Sequence, residues 1–369
     1  NQKKKFVIFD EKGLCGGCTY NHIKNNKINW NDREKELLDL CDKFRKNNGE
    51  FDVLVPGSGG KDSILVAHQL KNKYKMNPLL CSWSPTMITE IGKKNLKAWI
   101  DIGFKIEFNK VNKELHRILT KLSFLNLCHP FQPFIIGQKN FAPKIAQKKN
   151  IQLVMFGEHD AEFGSDLERW DKPSMNINRF THDKIDYNDL FLGGVQLKEI
   201  LKKYNFTIED IDDYLPIETE VFNSNKIEFH YYSYYKKWNF HDNYYYAINN
   251  SKFTPQKERI QGSYDKYSSM DDKIDYLHFY TYYIKFGMGR ATAASEQEIR
   301  AGVINRDEGI SLVKRFDSEF PSKYYNDFLD YMQINEKEFN EVIDRSRPDH
   351  LWEKIGNEWR LKKPIWESD

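Results

Sequence analysis

Residues 51–70, FDVLVPGSGGKDSILVAHQL, constrain the fold more than any other stretch of this chain. A short apolar run ends at Pro56 in Gly57-Ser58-Gly59-Gly60, and a second apolar run with helical spacing follows Lys61, Asp62 and Ser63. The pattern predicts a buried strand that turns at once into a helix. Glycine permits positive φ and lets bare backbone approach a ligand, while the helix start aims unpaired amides and a positive dipole end at it. Phosphate suits that arrangement. Two common phosphate loops are excluded by spelling: Walker A needs Ser or Thr after Gly-Lys where Asp62 stands, and G-x-G-x-x-G fails at the same position. A tight strand–helix turn with no ligand is the plain alternative.

The alternation continues downstream. Apolar runs NPLLCSW, KIEFNKV and IQLVMFG are separated by helical patterns such as TEIGKKNLKAWIDIG, which predicts βαβ units and a parallel sheet, hence an α/β fold. Ligands of such sheets bind beyond the carboxyl ends of the strands. Three polar turns fall there: the glycine turn, SWSP at 82–85 with Ser82, and GEHDAEFG at 157–164 with Gly157 and Glu158. Glu158 is a candidate ligand-binding carboxylate at this edge, or a plain helix-start carboxylate. A helix is predicted from Asn31 to about Lys46, and beyond about residue 220 the pattern becomes mostly helical. The expected organisation is a cysteine-bearing segment and helix over 1–48, an α/β domain carrying the glycine turn over 49–220, and a helical substrate or partner domain over 221–369.

Charge and cysteine usage narrow the function classes. The chain carries 56 basic and 54 acidic residues, so no excess points to nucleic acid. HYYSYYKKWNFHDNYYY, residues 230–246, is a connector for which base stacking on RNA is the less favoured reading. No apolar run reaches the roughly 18–20 residues of a membrane helix, and the basic, briefly apolar opening NQKKKFVIFD does not read as a signal peptide. Five cysteines in 369 residues do not resemble a disulfide framework, and a cytoplasmic home is expected. Cys15 and Cys18 form a CxxC, half of a tetrahedral zinc site, with His22 and Cys41 as candidates to complete it. Gly13-Leu14-Cys15-Gly16-Gly17 also spells a nucleophile elbow, but it precedes any sheet strand, so a built-in glutaminase is rejected. Cys128 and His129 sit in an apolar loop pattern where burial is the ordinary outcome.

Ser58-Gly59-Gly60-Lys61-Asp62-Ser63 resembles the PP-loop, S-G-G-x-D-S, whose family cleaves ATP between the α and β phosphates. Ser58, the Gly59 and Gly60 amides and Ser63 would cradle pyrophosphate, Lys61 would offset its charge, and Asp62 would position Mg²⁺, a hard cation that prefers oxygen. Longer strings, FVIFDEKGLCGGC, CHPFQPFIIGQ, SYYKKW, GSYDKYSSMDDKIDYLHFYTYYIKFGMGRATAASEQEIR and PDHLWEK, resemble the N-acetyl sugar amidotransferase family of bacterial surface-glycan synthesis. Family members usually carry another CxxC upstream, which would supply the remaining zinc ligands; residues 1–14 here contain none, as a trimmed N-terminus would explain. The resemblance implies an adenine-nucleotide-hydrolase-like domain and ATP-dependent conversion of the N-acetyl group of pseudaminic acid or a related nonulosonic acid to an acetamidino group. Ammonia would come from a separate glutaminase subunit. By the same resemblance His129, Gln138, Arg290 and Arg300 would bind the acidic sugar, since Arg suits bidentate carboxylate recognition, and Lys266 would stabilise departing pyrophosphate. A solvated helix face is the plainer reading of Arg290 and Arg300. The rival functions are a tRNA-thiolating PP-loop enzyme, which needs paired cysteines at the catalytic edge, and a non-catalytic ATP-binding subunit of a glutaminase complex.

Overall fold

The computed structural model describes residues 9–165, 167–183, 186 and 189–367; residues 1–8 of the expected N-terminal segment, and with them the first residues of FVIFDEKGLCGGC, lie outside the described residues. After helices α1 (Gly16–Asn26) and α2 (Trp30–Phe44), five strands make one sheet: β1 (Val53–Pro56), β2 (Pro78–Ser82), β3 (Lys105–Phe108), β4 (Leu153–Phe156) and β5 (Glu228–Tyr231). The order is β3-β2-β1-β4-β5 and every pairing is parallel. The chain steps outward from β1 to β3, then returns to lay β4 on the other side of β1. The crevice at the carboxyl ends of β1 and β4 is therefore the switch point where such sheets hold ligands.

A parallel sheet is covered on both faces because its crossovers are helices. Val53 and Val55 of β1 face one hydrophobic cluster, with Leu80, Leu153, Met155 and α3 (Lys61–Asn72). Leu54 faces the other, with Leu79, Cys81 and Val154. The period of two along each strand sorts the apolar residues between the layers. The crossovers also include α4 (Glu90–Asp101), α5 (Lys113–Leu127) and α6 (Gln132–Lys148), and α6 covers the second face through Phe141, Ala142 and Ile145.

The C-terminal helices extend the first cluster. These are α7 (Phe240–Ser251), α8 (Lys273–Phe286), α9 (Arg290–Ala301) and three more down to Arg345, followed by a hairpin at 352–361. Leu277, Ile284, Phe328 and Phe339 share one core with Val53 and Leu153. The fifth sheet strand lies beyond residue 220, so the sheet draws on chain from both sides of the expected boundary. The aromatic connector is mostly core: Tyr231, Tyr232, Tyr234, Tyr235, Trp238 and Tyr244 are buried, which leaves no row of exposed rings for base stacking. Among the described residues, no helix is long and apolar enough to cross a membrane.

SWSP at 82–85 departs from expectation. Trp83 is buried, packed edge-on against Phe141 and Tyr214, and it rests on Gly137 of α6, where an added Cβ would fall inside the indole ring. Gly137→Ala gains about 1 kcal/mol of helix propensity, but the clash costs about 1–3 kcal/mol. Denaturant unfolding is therefore expected to show a net loss of stability, and an unchanged or raised midpoint would refute this account of the packing.

Candidate functional site

The glycine turn is built by close approach. The Gly57 amide donates to the Cys81 carbonyl at 2.9 Å, and a side chain at 57 would overlap Ser63 and the Trp99 ring. Gly59 has φ +92°, and a Cβ there would stand 3.0 Å from the Leu96 amide. Gly60 is the N-cap of α3, and no side chain caps that helix. A Cβ on Gly60 would meet only the Ser58 hydroxyl, at 3.8 Å, so the space above the turn is open. The amides at the start of α3 have no intrahelical acceptor and face that space with the positive helix end.

The turn's charges are held by the C-terminal part of the chain. Lys61 is 4% exposed, its Nζ lies 2.5 Å from Asp62 Oδ2, and it sits over the rings of Phe240 and Tyr267 at 5.0 and 5.8 Å. Asp62 Oδ1 accepts from Asn243 Nδ2 at 2.8 Å. Asn243 belongs to α7, which packs along α3 and is tied to it again by His68 and Tyr246, 2.7 Å apart. Glu158 follows β4 across the crevice. Burial, and then the Asp62 carboxylate, push its pKa up to about 8.

These groups open into one cavity of about 910 Å³, lined by the whole turn from Pro56 to Ser63, by Gly157 and Glu158, and by Gln138 of α6. Phe131, Phe134, Ile135, Met175 and Phe180 supply an apolar wall. Helix α9 presents one face to it: Arg290, Ala293, Ala294, Gln297 and Arg300 all line the cavity, at the i, i+3, i+4, i+7 spacing of a helical stripe. Asp317 fixes the start of that helix, accepting from the Gly289 amide at 2.7 Å, the Thr292 amide at 2.9 Å and the Thr292 hydroxyl at 2.5 Å.

Ser58, Gly59, Gly60, Lys61, Asp62, Ser63, Gly157, Glu158, Gln138, Arg290 and Arg300 thus meet around one space. Ser82, His129, Lys266, Cys15 and Cys18 do not line it. Ser82 is buried at the end of β2, its hydroxyl without a hydrogen-bond partner among the described residues. His129 lies behind the wall, stacked at 4.9 Å on His278, which stacks on Phe131 at 5.3 Å; burial, then Lys285, lower its pKa to about 4. Lys266 is exposed. Cys15 is the N-cap of α1, and burial, then Cys15, raise the Cys18 pKa. The CxxC buttresses the cavity: a Cβ on Gly17 would touch Arg300 Nη1 at 3.0 Å, and Arg300 Nη2 donates to the Glu162 carbonyl at 3.3 Å.

The two thiols do not make a zinc centre from the described residues. His22 is paired with the Asn26 side chain and Cys41 is buried in the core; no cluster of three or more His, Cys, Asp or Glu suited to a metal ion occurs among the described residues. Asp62 and Glu158 line the same cavity and are the oxygen donors that would serve Mg²⁺, which takes one or two carboxylates with substrate phosphates and water.

Asn243, Phe240, Tyr267, Asp271 and Asp275 went unassigned in the sequence. Asp271 and Asp275 did carry a signal, one helical turn apart in MDDKIDY. Between them Asp272 caps α8 by accepting from the Ile274 amide at 2.8 Å, while Asp271 and Asp275 line the cavity. Burial raises both pKa values, that of Asp275 to about 7 against the pull of Arg290.

Comparison with known proteins bears on this C-terminal wall. Residues 261–365 match the family model described as LPS biosynthesis protein WbpG-like, C-terminal domain. That span contributes Asp271, Asp275, Arg290 and Arg300 to the cavity. A stretch of 79 residues is also 30% identical to the uncharacterized protein MJ1599 of Methanocaldococcus jannaschii, covering 21% of this chain and 28% of that protein. The chain therefore matches little more than a quarter of that relative's length. The WbpG-like match links the protein to sugar or LPS biosynthesis and fits a biosynthetic enzyme.

Glu158 gives the site a pH signature. Its carboxyl ionises near its ordinary 4.5 when unfolded and near 8 when folded, so the stability it contributes is full below 4.5 and is lost as pH rises through 8. Glu158→Gln is expected to shrink the fall in thermal stability between pH 6 and pH 9, and an equal fall in both proteins would contradict the assignment.

Proposed function

We propose that this chain is an ATP-dependent amidotransferase that converts the N-acetyl group of an acidic bacterial sugar to an acetamidino group. The observation that carries the reading is the meeting, in one cavity, of an open, uncapped glycine turn bearing Lys61 and Asp62 with the wall supplied by the WbpG-like span. The turn supplies amides for the phosphates of ATP as substrate, and the Arg300 end of α9, with Gln297 and Gln138, supplies donors for the sugar.

The amide oxygen of the sugar attacks the α-phosphorus of ATP, and the bond to the β-phosphate oxygen breaks to release pyrophosphate. Amide oxygen is a poor leaving group; as a phosphate ester it leaves as AMP when ammonia adds to the carbon, giving an amidinium. Asp62 and Glu158 would hold Mg²⁺, which supplies charge neutralisation at the phosphates when bound. Lys61 pairs with Asp62, and the apolar wall excludes water that would hydrolyse the activated amide. Ammonia would come from a separate glutaminase; Cys15 is the N-cap of α1, which precedes the first strand of the sheet among the described residues.

The thiolating alternative is disfavoured by position: Cys81 and Cys128 are both buried in the hydrophobic cores, and neither lines the cavity. The test is mass spectrometry of the purified chain with Mg·ATP, ammonium and N-acetylated pseudaminic acid, free or CMP-linked. A product lighter by the difference between O and NH is expected, with AMP and pyrophosphate in equal amounts, and Asp62→Ala is expected to lower the rate about 100-fold or more. ATP binding with no product from either sugar would favour the non-catalytic subunit.

A further inference from the structure

Arg290 is the first residue of α9 and only 3% exposed, yet it lines the cavity. Its Nη2 donates to the Ser268 and Ser269 carbonyls, the second at 3.0 Å, and Ser269 holds a left-handed φ of +42° beside it. The guanidinium lies over Phe279 at 4.6 Å. Nε and Nη1 have no hydrogen-bond partner among the described residues, and no carboxylate pairs with Arg290 there, although Arg259, Arg300 and Arg347 each have one. Leaving two buried guanidinium donors unmade is costly, and Nε–H and Nη1–H, which point in different in-plane directions, can each donate a charge-assisted bond to an oxyanion.

The neighbours indicate which oxyanion. Asp271 lies between Arg290 and the glycine turn: the Ser58 hydroxyl hydrogen-bonds to its carboxyl, and the Arg290 charge acts on it directly. Lys61 is already neutralised by Asp62, so the turn offers no uncompensated side-chain cation to a highly charged leaving group. Asp271 and Asp275, which would oppose an anion, are both shifted by burial toward the neutral form. Arg300 stands ten residues further along α9, roughly 15 Å away by helix rise, at the wall formed by α1 and Phe163. The two arginines therefore face different parts of the bound reactants.

We propose that Arg290, through its free Nε–H and Nη1–H donors, binds the β- and γ-phosphates of ATP and retains them as pyrophosphate, and that this residue rather than Lys266 is the cation for the leaving group. This rests on reading the glycine turn as the ATP cradle, and it assigns Arg290 to pyrophosphate instead of the sugar carboxylate.

The experiment measures binding of Mg·pyrophosphate and of AMP to the full chain by calorimetry, in the wild type and in Arg290→Gln and Arg290→Lys. Pyrophosphate affinity is expected to fall on the order of thirtyfold or more in Arg290→Gln and less in Arg290→Lys, which keeps the charge but loses the separate Nε and Nη1 donors. AMP, which lacks the leaving phosphates, is expected to bind all three alike and so reports that the cavity is intact. Wild-type pyrophosphate binding that Arg290→Gln leaves unchanged would overturn the inference and spare the ATP-cradle reading. Equal loss of AMP and pyrophosphate in both variants would also overturn it, making Arg290 a structural support. A wild type that binds neither Mg·ATP nor pyrophosphate would remove the cradle reading itself.

Discussion

The approach of α3 to the end of β1 is the constraint from which the rest of the site follows. At Gly57 the backbone passes so close to Ser63 and Trp99 that no side chain fits, and at Gly59 it turns through a conformation that L-residues rarely adopt. Only glycine satisfies both positions, and only that path leaves the start of α3 uncapped and facing the switch-point crevice. The neighbouring groups fall in around it: Glu158 arrives on the far side from β4, and the segment through Asp271 closes against Ser58.

Much of this was legible in the sequence because it depends on local pattern. The strand–glycine–helix unit, the alternation of short apolar runs with helical ones and the parallel sheet all follow from period and turn chemistry over a few residues. Helix α2 was expected from Asn31 to about Lys46 and runs from Trp30 to Phe44. Illegible parts depend on packing at long range. Ser82 and Trp83 read as a polar turn at the sheet edge, but the indole finds the gap left by Gly137 and draws the segment into the core. Asn243 looks like any polar residue of a helix until α7 lies along α3 and brings its amide to Asp62. Asp271 and Asp275 went unassigned, because spacing alone does not say which carboxylate of MDDKIDY caps α8 and which face the cavity.

Buried carboxyls set the electrostatics of the cavity. Glu158, Asp271 and Asp275 are all shifted by burial toward the protonated form, while Asp62 is held by Lys61 and Asn243. A site with this many acidic groups would repel phosphate if all were ionised. Burial favours the neutral form of Asp271 and Asp275, and Arg290 and Arg300 stand at the two ends of α9, so the acidic lining does not by itself bar an anion.

The environment of Lys61 ties the two halves of the protein together in time as well as in space. Its rings, Phe240 and Tyr267, and the Asn243 amide on its partner Asp62 lie about 180 to 206 residues later in the chain. During synthesis the turn emerges long before anything exists to cover it. Until then Lys61 and Asp62 are a solvated pair of the kind that contributes little in water. A nascent chain can assemble most of its sheet while the glycine turn is still an ordinary wet surface, and the turn gains its buried charge pair only when the C-terminal helices dock.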